Sequence, residues 1–462
     1  MSRPNPSSYT TVLAVVGLST WVSMLAYAGP LGNVVTLTRA LRTSATGSAW
    51  VLASMSIGLA VTLLAAGVIA DEIGHRRVFV LGALLFAAAN LVCGLTDSVT
   101  AFVLARLVAG AGATGMIATG LGLVAAASEH DTHRRTTATW WSVAMGAGIA
   151  LGPIGTGLLD RIDGWHLFYL GLALGGALLG LAAARLRLPA APRRSGRRLD
   201  LLGFALLTGA LATGVTAIVG FRTGAGPGTI ALLVAALLLT VALVVSQRRG
   251  RSTLIDPALF RHRGFLAATL AGFGTGFGVI AAMSYACSHL VLGLGMSTLA
   301  AACLLAAWSG TSAVAALVVA RVAANLPGPA QLAGGLTGTA AGLLLLIPAI
   351  SPLGMLPGLL LAGVASGVLN AGLARQAVAT VPAERAAMGS GANNTARYLG
   401  AALGVTLAAT LVGHAPTLGI GWQRVTLVTG VAAALSALGV LLLSRAHRQA
   451  ADPQPALAKG DR

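Results

Sequence analysis

Fourteen stretches of about twenty apolar residues, each ended by a short polar or basic break, leave this chain few folds to adopt. A backbone in lipid must satisfy its own hydrogen bonds, and about 20 residues of helix cross a hydrocarbon core roughly 30 Å thick. The expected spans are 10–32, 48–70, 77–97, 99–125, 137–160, 166–186, 200–221, 228–247, 265–291, 297–320, 329–350, 354–378, 388–413 and 422–444. Composition agrees, with 56% hydrophobic residues, 9% charged residues, 61 glycines and a mean hydropathy of +0.85. The first run begins near Thr11 and passes Tyr27, long enough to read as a retained spanning helix rather than a cleaved leader. The expected fold class is therefore all-α and integral to the membrane.

Charge orients the chain. An even number of spans puts both termini on one side. With the termini cytoplasmic, the inner connections hold Arg76, Arg77, Arg134, Arg135, Arg185, Arg187, the cluster Arg193, Arg194, Arg197 and Arg198, and Arg248, Arg249, Arg251, Arg261, Arg263, Arg321, Arg375 and Arg385. The outer connections hold only Arg39, Arg42, Arg161, Arg222 and Arg424. That bias predicts cytoplasmic termini. It also explains the net charge of +18 without nucleic acid, since the arginines are dealt to alternate loops rather than gathered on one face. Lys459 is the only lysine, and with abundant alanine and glycine this composition fits a GC-rich bacterial genome, hence a bacterial inner membrane. Cys93, Cys287 and Cys303 lie far apart in apolar runs and read as core residues. No metal or other cofactor is expected. No paired carboxylates, metal cluster or nucleophile–base set stands in any loop, which excludes an enzyme, and no phosphate-binding glycine loop supplies ATP hydrolysis.

The run Gly67-Val-Ile-Ala-Asp71-Glu-Ile-Gly74-His-Arg76-Arg77 reads as a turn at the cytoplasmic mouth. Gly74 supplies the reversal, and Asp71 can cap a helix or pair with arginine, so the turn can latch two helices together. These residues resemble the loop 2-3 signature of the major facilitator superfamily, with His75 where that family usually has arginine or lysine. In the fifth span, Gly148 and Gly152 have the spacing of a close helix contact and Pro153 bends the helix. Gly148, Gly152, Pro153 and Gly157 resemble the antiporter motif of the superfamily's exporters, with Thr156 replacing the first glycine of its final pair. Two apolar runs follow the basic stretch 189–198, and both 256–265 and 389–404 resemble segments of fourteen-helix drug:proton antiporters.

The resemblance implies two six-helix bundles, 1–187 and 264–445, with a basic linker and two extra central helices over 188–263. The polar tail over 446–462, with two prolines and no periodicity, is expected to be disordered and cytoplasmic. It implies pseudo-twofold symmetry, with substrate held between the bundles near the midplane. The activity implied is secondary transport: export of amphipathic drug- or antibiotic-like small molecules in exchange for protons, through alternating access. A second reading is a metabolite exporter or facilitator without proton coupling. A third, a sensor or assembly protein that kept the fold, is opposed by Asp71, Arg76, Arg77, Arg106 and the Gly152-Pro153 pair.

Coupling is where the chain departs from that pattern. Arg106 lies inside the fourth span, where a charge costs about 2.5–3.5 kcal/mol, so it should face a cavity or a partner, or else snorkel to the outer interface. Its position before Gly110 and Gly112 resembles the helix-four motif tied to proton coupling. Yet none of the twelve acids falls in mid-span, and the first span, 24–33, lacks the aspartate typical of fourteen-helix antiporters. Asp160, at the outer end of the fifth span, is the nearest candidate to exchange a proton. His289 either titrates in a cavity or sits at the headgroup level. Tyr27, Tyr285, Trp308 and Asn370 are candidate linings of a substrate cavity.

Overall fold

The computed structural model describes residues 6–127, 131–186, 200–220, 226–249, 259, 261–322, 326–381 and 386–451. Its helices are α1 (Pro6–Ala40), α2 (Ala45–Ile73), α3 (His75–Leu95), α4 (Val99–Ala127), α5 (Asp131–Leu159), α6 (Trp165–Arg185), α7 (Leu201–Gly220) and α8 (Pro227–Arg249). They continue as α9 (Arg263–Gly293), α10 (Thr298–Val322), α11 (Gly328–Leu345), α12 (Leu356–Ala379), α13 (Ala386–Gly413) and α14 (Leu418–Ala451). No strand occurs among the described residues. Eleven helices are long and apolar enough to cross a bilayer, and α2 and α7 carry shorter apolar stretches, Gly47–Leu63 and Leu202–Gly214. The rods alternate in direction, so Pro6 and Ala451 share one end of the molecule, here the near end.

Several helices outrun the apolar stretch that announces them. α1 carries Arg39 inside its last turn, and α14 continues to Ala451, so residues 446–451 are helical rather than part of a disordered tail. The physical reason is that arginine, alanine and glutamine are good helix formers once the chain has left the lipid. The basic stretch 189–198, Ala225 and residues beyond 451 lie outside the described residues. α9 is one rod interrupted by two π-helical turns, Gly276–Ile280 and His289–Gly293.

Packing repeats with an offset of eight helices. The pairs α1·α5, α2·α4, α3·α4 and α3·α6 in the first half have counterparts α9·α13, α10·α12, α11·α12 and α11·α14 in the second. The two bundles meet principally along α2·α13 and α5·α10, themselves a symmetric pair. α7 and α8 form a hairpin, and α7 lies on the α2·α13 seam, where Leu211 joins an apolar cluster drawn from both bundles, with Leu52, Ile57, Ala402 and Val405. Outward-facing leucines on α3 (Leu81, Leu91), α6 (Leu174, Leu178), α8 (Leu237, Leu238) and α14 (Leu435, Leu438) form an apolar belt that only lipid would solvate. Cys303 also faces outward on α10, whereas Cys93 and Cys287 are buried as expected.

Glycine makes the intrabundle contacts close. A Cβ on Gly400 of α13 would stand 2.4 Å from the Phe273 carbonyl of α9, and one on Gly276 would collide with the Arg397 carbonyl. Gly400→Val should therefore overpack α9·α13 at a cost of about 1–3 kcal/mol. The check is a thermal melt in detergent beside Gly171→Val, whose new side chain meets open space. An equal shift in the two variants would contradict this close approach.

Candidate functional site

Gly74, at φ +99, is the reversal between α2 and α3; its N–H donates to the Ala70 carbonyl (3.0 Å) and its own carbonyl accepts from Arg77 (3.1 Å). The turn is shorter than expected. Gly67 and Asp71 belong to α2, which stays helical through Ile73 because nothing before Gly74 breaks the hydrogen-bond ladder. A Cβ at Gly67 would meet nothing within 4 Å, so packing does not demand glycine there. The side chain of Asp71 lies outside the described residues. Arg76 donates from its guanidinium to the Ala184 carbonyl in the last turn of α6, where a cation complements the helix dipole. Arg77 is exposed.

The α1·α5 seam is backbone against backbone. A Cβ on Gly148 would come within 2.6 Å of the Trp21 carbonyl, one on Gly152 within 2.9 Å of the Leu25 carbonyl, and one on Gly32 within 2.5 Å of the Pro153 carbonyl. Thr156, the departure from the glycine pair, is fully buried and donates across the seam to the Gly29 carbonyl at 3.0 Å, so it replaces a smooth contact with a hydrogen bond. Gly157 faces the other way; its Cβ would lie 3.0 Å from Cα of Leu299 on α10, in the second bundle.

Arg106 does not snorkel. It is 1% exposed, and its guanidinium donates to the Val51 carbonyl of α2 (Nε, 3.1 Å) and the Ala26 carbonyl of α1 (Nη1, 3.0 Å). The second bond has a sequence cause. The helical donor for Ala26 would be the N–H of residue 30, and Pro30 has none. Arg106 fills that vacancy and so rivets α1, α2 and α4 together.

Asp160 begins a single 3₁₀ turn after α5 at the far end. Thr36 donates to it at 2.7 Å and the Asn33 amide at 3.4 Å, both from the last turns of α1. Asn33 is itself out of helical conformation (φ −133, ψ 25), which bends α1 toward the carboxylate. Beside this cluster the Cys287 thiol of α9 approaches the Gly32 carbonyl at 3.3 Å, joining the bundles. Farther along the same face, His289 stacks on Trp422 of α14, with centroids 5.1 Å apart and 6° between the planes. His289 is 7% exposed, buried within the protein. It and Tyr285 line a cavity of about 310 Å³ between the bundles.

The remaining candidates scatter. Tyr27 is buried at the centre, where its phenol oxygen accepts from Ser56 (3.4 Å) and its ring meets Tyr398 of α13 edge to face at 5.8 Å. Trp308 is buried in the second bundle with Leu305 and Leu359, and it does not line that 310 Å³ cavity. Asn370 is half-buried on α12, its Oδ1 without a partner among the described residues. Sequence reasoning missed Arg397 and Tyr398. Arg397 lies within electrostatic reach of Tyr27 and Tyr398, and its Nε is buried and unpaired among the described residues. The signal was present, since an arginine inside an apolar span carries the cost that singles out Arg106.

Two bundles of repeated packing, joined by two seams and held by a buried arginine, define a multi-pass membrane transporter of the two-bundle class. The sequence profile described as Major Facilitator Superfamily matches residues 16–405, and the chain belongs to that superfamily. Its relatives include the multidrug resistance protein Stp of Mycobacterium tuberculosis, 29% identical over 78% of this chain and 67% of its own length. The puromycin resistance protein pur8 of Streptomyces alboniger is 29% identical over 81% of this chain and 76% of its own. The tetracenomycin C resistance and export protein of Streptomyces glaucescens is 27% identical over 88% of this chain and 76% of its own. The crystal structure of the human organic anion transporter MFSD10 shares the fold, with a TM-score of 0.66 at 18% identity, covering 94% of this chain and all of that one. The chain is thus a transporter of a family whose relatives are multidrug and antibiotic efflux proteins, not an enzyme.

The Pro30–Arg106 relation yields a double-mutant cycle. Arg106→Leu should orphan the Ala26 carbonyl at a cost of about 1–3 kcal/mol, and Pro30→Ala in the same chain should recover part of it by restoring the missing N–H. Strictly additive melting shifts would remove the rivet.

Proposed function

We propose that the chain is a secondary transporter that exports amphipathic drug- or antibiotic-like molecules across a bacterial inner membrane by alternating access, exchanging them for protons. The near end, with both termini, is cytoplasmic on the arginine bias of the connections. One observation carries the reading: the bundles close on each other at the far end around Asp160, Gly32 and Cys287, while near-end residues Ala14 and Leu18 of the central helix α1 stay exposed. That asymmetry is what an inward-open exporter awaiting cargo requires. The relatives' names support the cargo class. In this scheme Gly67, Asp71, Gly74, Arg76 and Arg77 form the cytoplasmic latch, Gly148, Gly152 and Pro153 hold α5 on α1 so that the first bundle moves as one body, and Gly157 meets the second bundle at Leu299. Tyr27 and Tyr398 stand at the centre of the path.

For proton coupling, Arg106 disfavours a second cation in the first bundle and Asp160 or His289 carries the proton. The second reading, a metabolite exporter or facilitator without coupling, is favoured by the absence of any acid from the described mid-helix positions. Inverted vesicles separate the two. An imposed pH gradient should drive accumulation of an amphipathic dye beyond equilibrium, Arg106→Ala should abolish it, and cargo-induced proton release should fall in Asp160→Asn or in His289→Gln. Full proton release in both single variants and in the double would leave the uncoupled reading.

The latch has its own test. Asp71→Asn should lower transport several-fold while leaving the amount of folded protein in the membrane unchanged. Wild-type transport by that variant would end the gating role of Asp71.

A further inference from the structure

Arg106 and Arg397 both stand inside apolar spans, and the chain uses them differently. Arg106 is sealed in the first bundle and donates to two carbonyls. Arg397, near the middle of α13, is only half-buried. Its Nε is buried without a partner among the described residues, and its terminal nitrogens, Nη1 and Nη2, hydrogen-bond to none of them either. Unlike Nε, those two keep accessible surface, so they open onto space that a solute can occupy. That space lies where the bundles meet. On the same stretch of α13, Thr395 donates to the Ala60 carbonyl of α2 at 3.3 Å, and Tyr398 joins the core cluster of the first bundle. Tyr27 of α1 is within electrostatic reach of Arg397. The α13 backbone is held tightly here, since a Cβ on Gly276 of α9 would collide with the Arg397 carbonyl, and the guanidinium therefore projects from a fixed point. A cation at this depth is costly without an opposite charge, and no acid occupies a mid-helix position among the described residues.

From this geometry we infer that Arg397 is a binding residue of the central path, and that it selects amphipathic cargo carrying an anionic oxygen, a carboxylate or a phenolate. The terminal nitrogens of a guanidinium lie in one plane and match the two oxygens of a carboxylate. Tyr27 and Tyr398, edge to face at 5.8 Å, close the path on one side and give the guanidinium an apolar setting in which its charge is weakly screened. A cationic amphiphile of the same shape meets a like charge there and no acid to offset it, so the path selects against it. The cargo class rests on the export reading above; the anion site itself does not.

Fluorescein and rhodamine 123 share a xanthene body and differ in charge, anionic against cationic at slightly alkaline pH, which makes them matched probes. Fluorescence anisotropy of each with purified full-length protein in a nonionic detergent tests the site without a gradient. Fluorescein should bind saturably to the wild type, about tenfold more weakly to Arg397→Gln, and with intermediate affinity to Arg397→Lys, which keeps the charge and loses the fork. Arg397→Glu should invert the preference and bind rhodamine 123 rather than fluorescein. Arg39→Gln, which removes one positive charge from an exposed far-end position, should leave fluorescein affinity unchanged, and the melting temperature of each variant reports its folding. Three results overturn the proposal: no saturable fluorescein binding in the wild type, equal affinity in the wild type and folded Arg397→Gln, or an equal loss in Arg39→Gln. Displacement of fluorescein by chloride but not by gluconate at the same ionic strength makes a free inorganic anion the occupant and overturns the cargo class. Vesicle export measured in parallel keeps the two readings apart: export of rhodamine 123 without fluorescein binding removes the anion site alone, and Arg397-dependent fluorescein binding without export of either dye removes the export reading alone.

Discussion

Lipid tails are as apolar as leucine, so helices in a bilayer gain nothing by burying apolar surface against one another. Association depends instead on how closely backbones approach and on what hydrogen bonds they exchange. Here the approach is set by glycine on both sides of the pseudo-symmetry. Gly148 and Gly152 bring α5 onto α1, and Gly276 and Gly400 bring α9 and α13 together in the second bundle. A smooth contact of this kind has few interlocking side chains, which lets a helix pair hold its distance while it changes its tilt.

Arg106 adds direction to that packing. Pro30 bends α1 and leaves the Ala26 carbonyl unpaired, and the guanidinium that fills the gap comes from α4. A proline and an arginine, each unfavourable alone in an apolar helix, offset one another. Because the arginine is fully buried, its charge acts inside the first bundle rather than in open water. Its hydrogen bonds among the described residues go to carbonyls, and the carboxylate of Asp160 is engaged by Thr36 and Asn33 at the far end of α1. The charge and its possible counterpart therefore act on two points of one bent helix, and a change at either is felt along α1.

The fold was legible in the sequence because it rests on properties that a string of letters carries directly. Length and hydropathy mark the spans, and the glycine spacing of Gly148-xxx-Gly152 marks the seam. Helix ends were less legible: α2 runs on past the apolar stretch to Ile73, and α14 to Ala451, since a helix outside lipid needs only helix-forming residues. The site was legible one residue at a time and not as a set. Tyr285 and His289 do share a wall, but the partner that defines that wall, Trp422, lies on α14, far away in sequence. Trp308 shows the converse, an aromatic residue that shares a core cluster with Trp422 yet does not line the cavity. Arg397 was missed for a different reason, as part of a motif read for family likeness and not for its charge.

The two ends of the molecule are chemically unlike, and that difference bears on direction. At the near end the connection between α2 and α3 is clamped by Arg76 to the last turn of α6, a contact within one bundle that moves with it as a body. At the far end the contacts cross between bundles and are weak ones: a thiol against a carbonyl at Gly32, and Gly157 against the backbone of Leu299. Weak cross-contacts over an apolar cavity separate at little cost, whereas charge-assisted bonds within a bundle do not. With the orientation proposed above, the contacts that outward passage has to break are this weaker set.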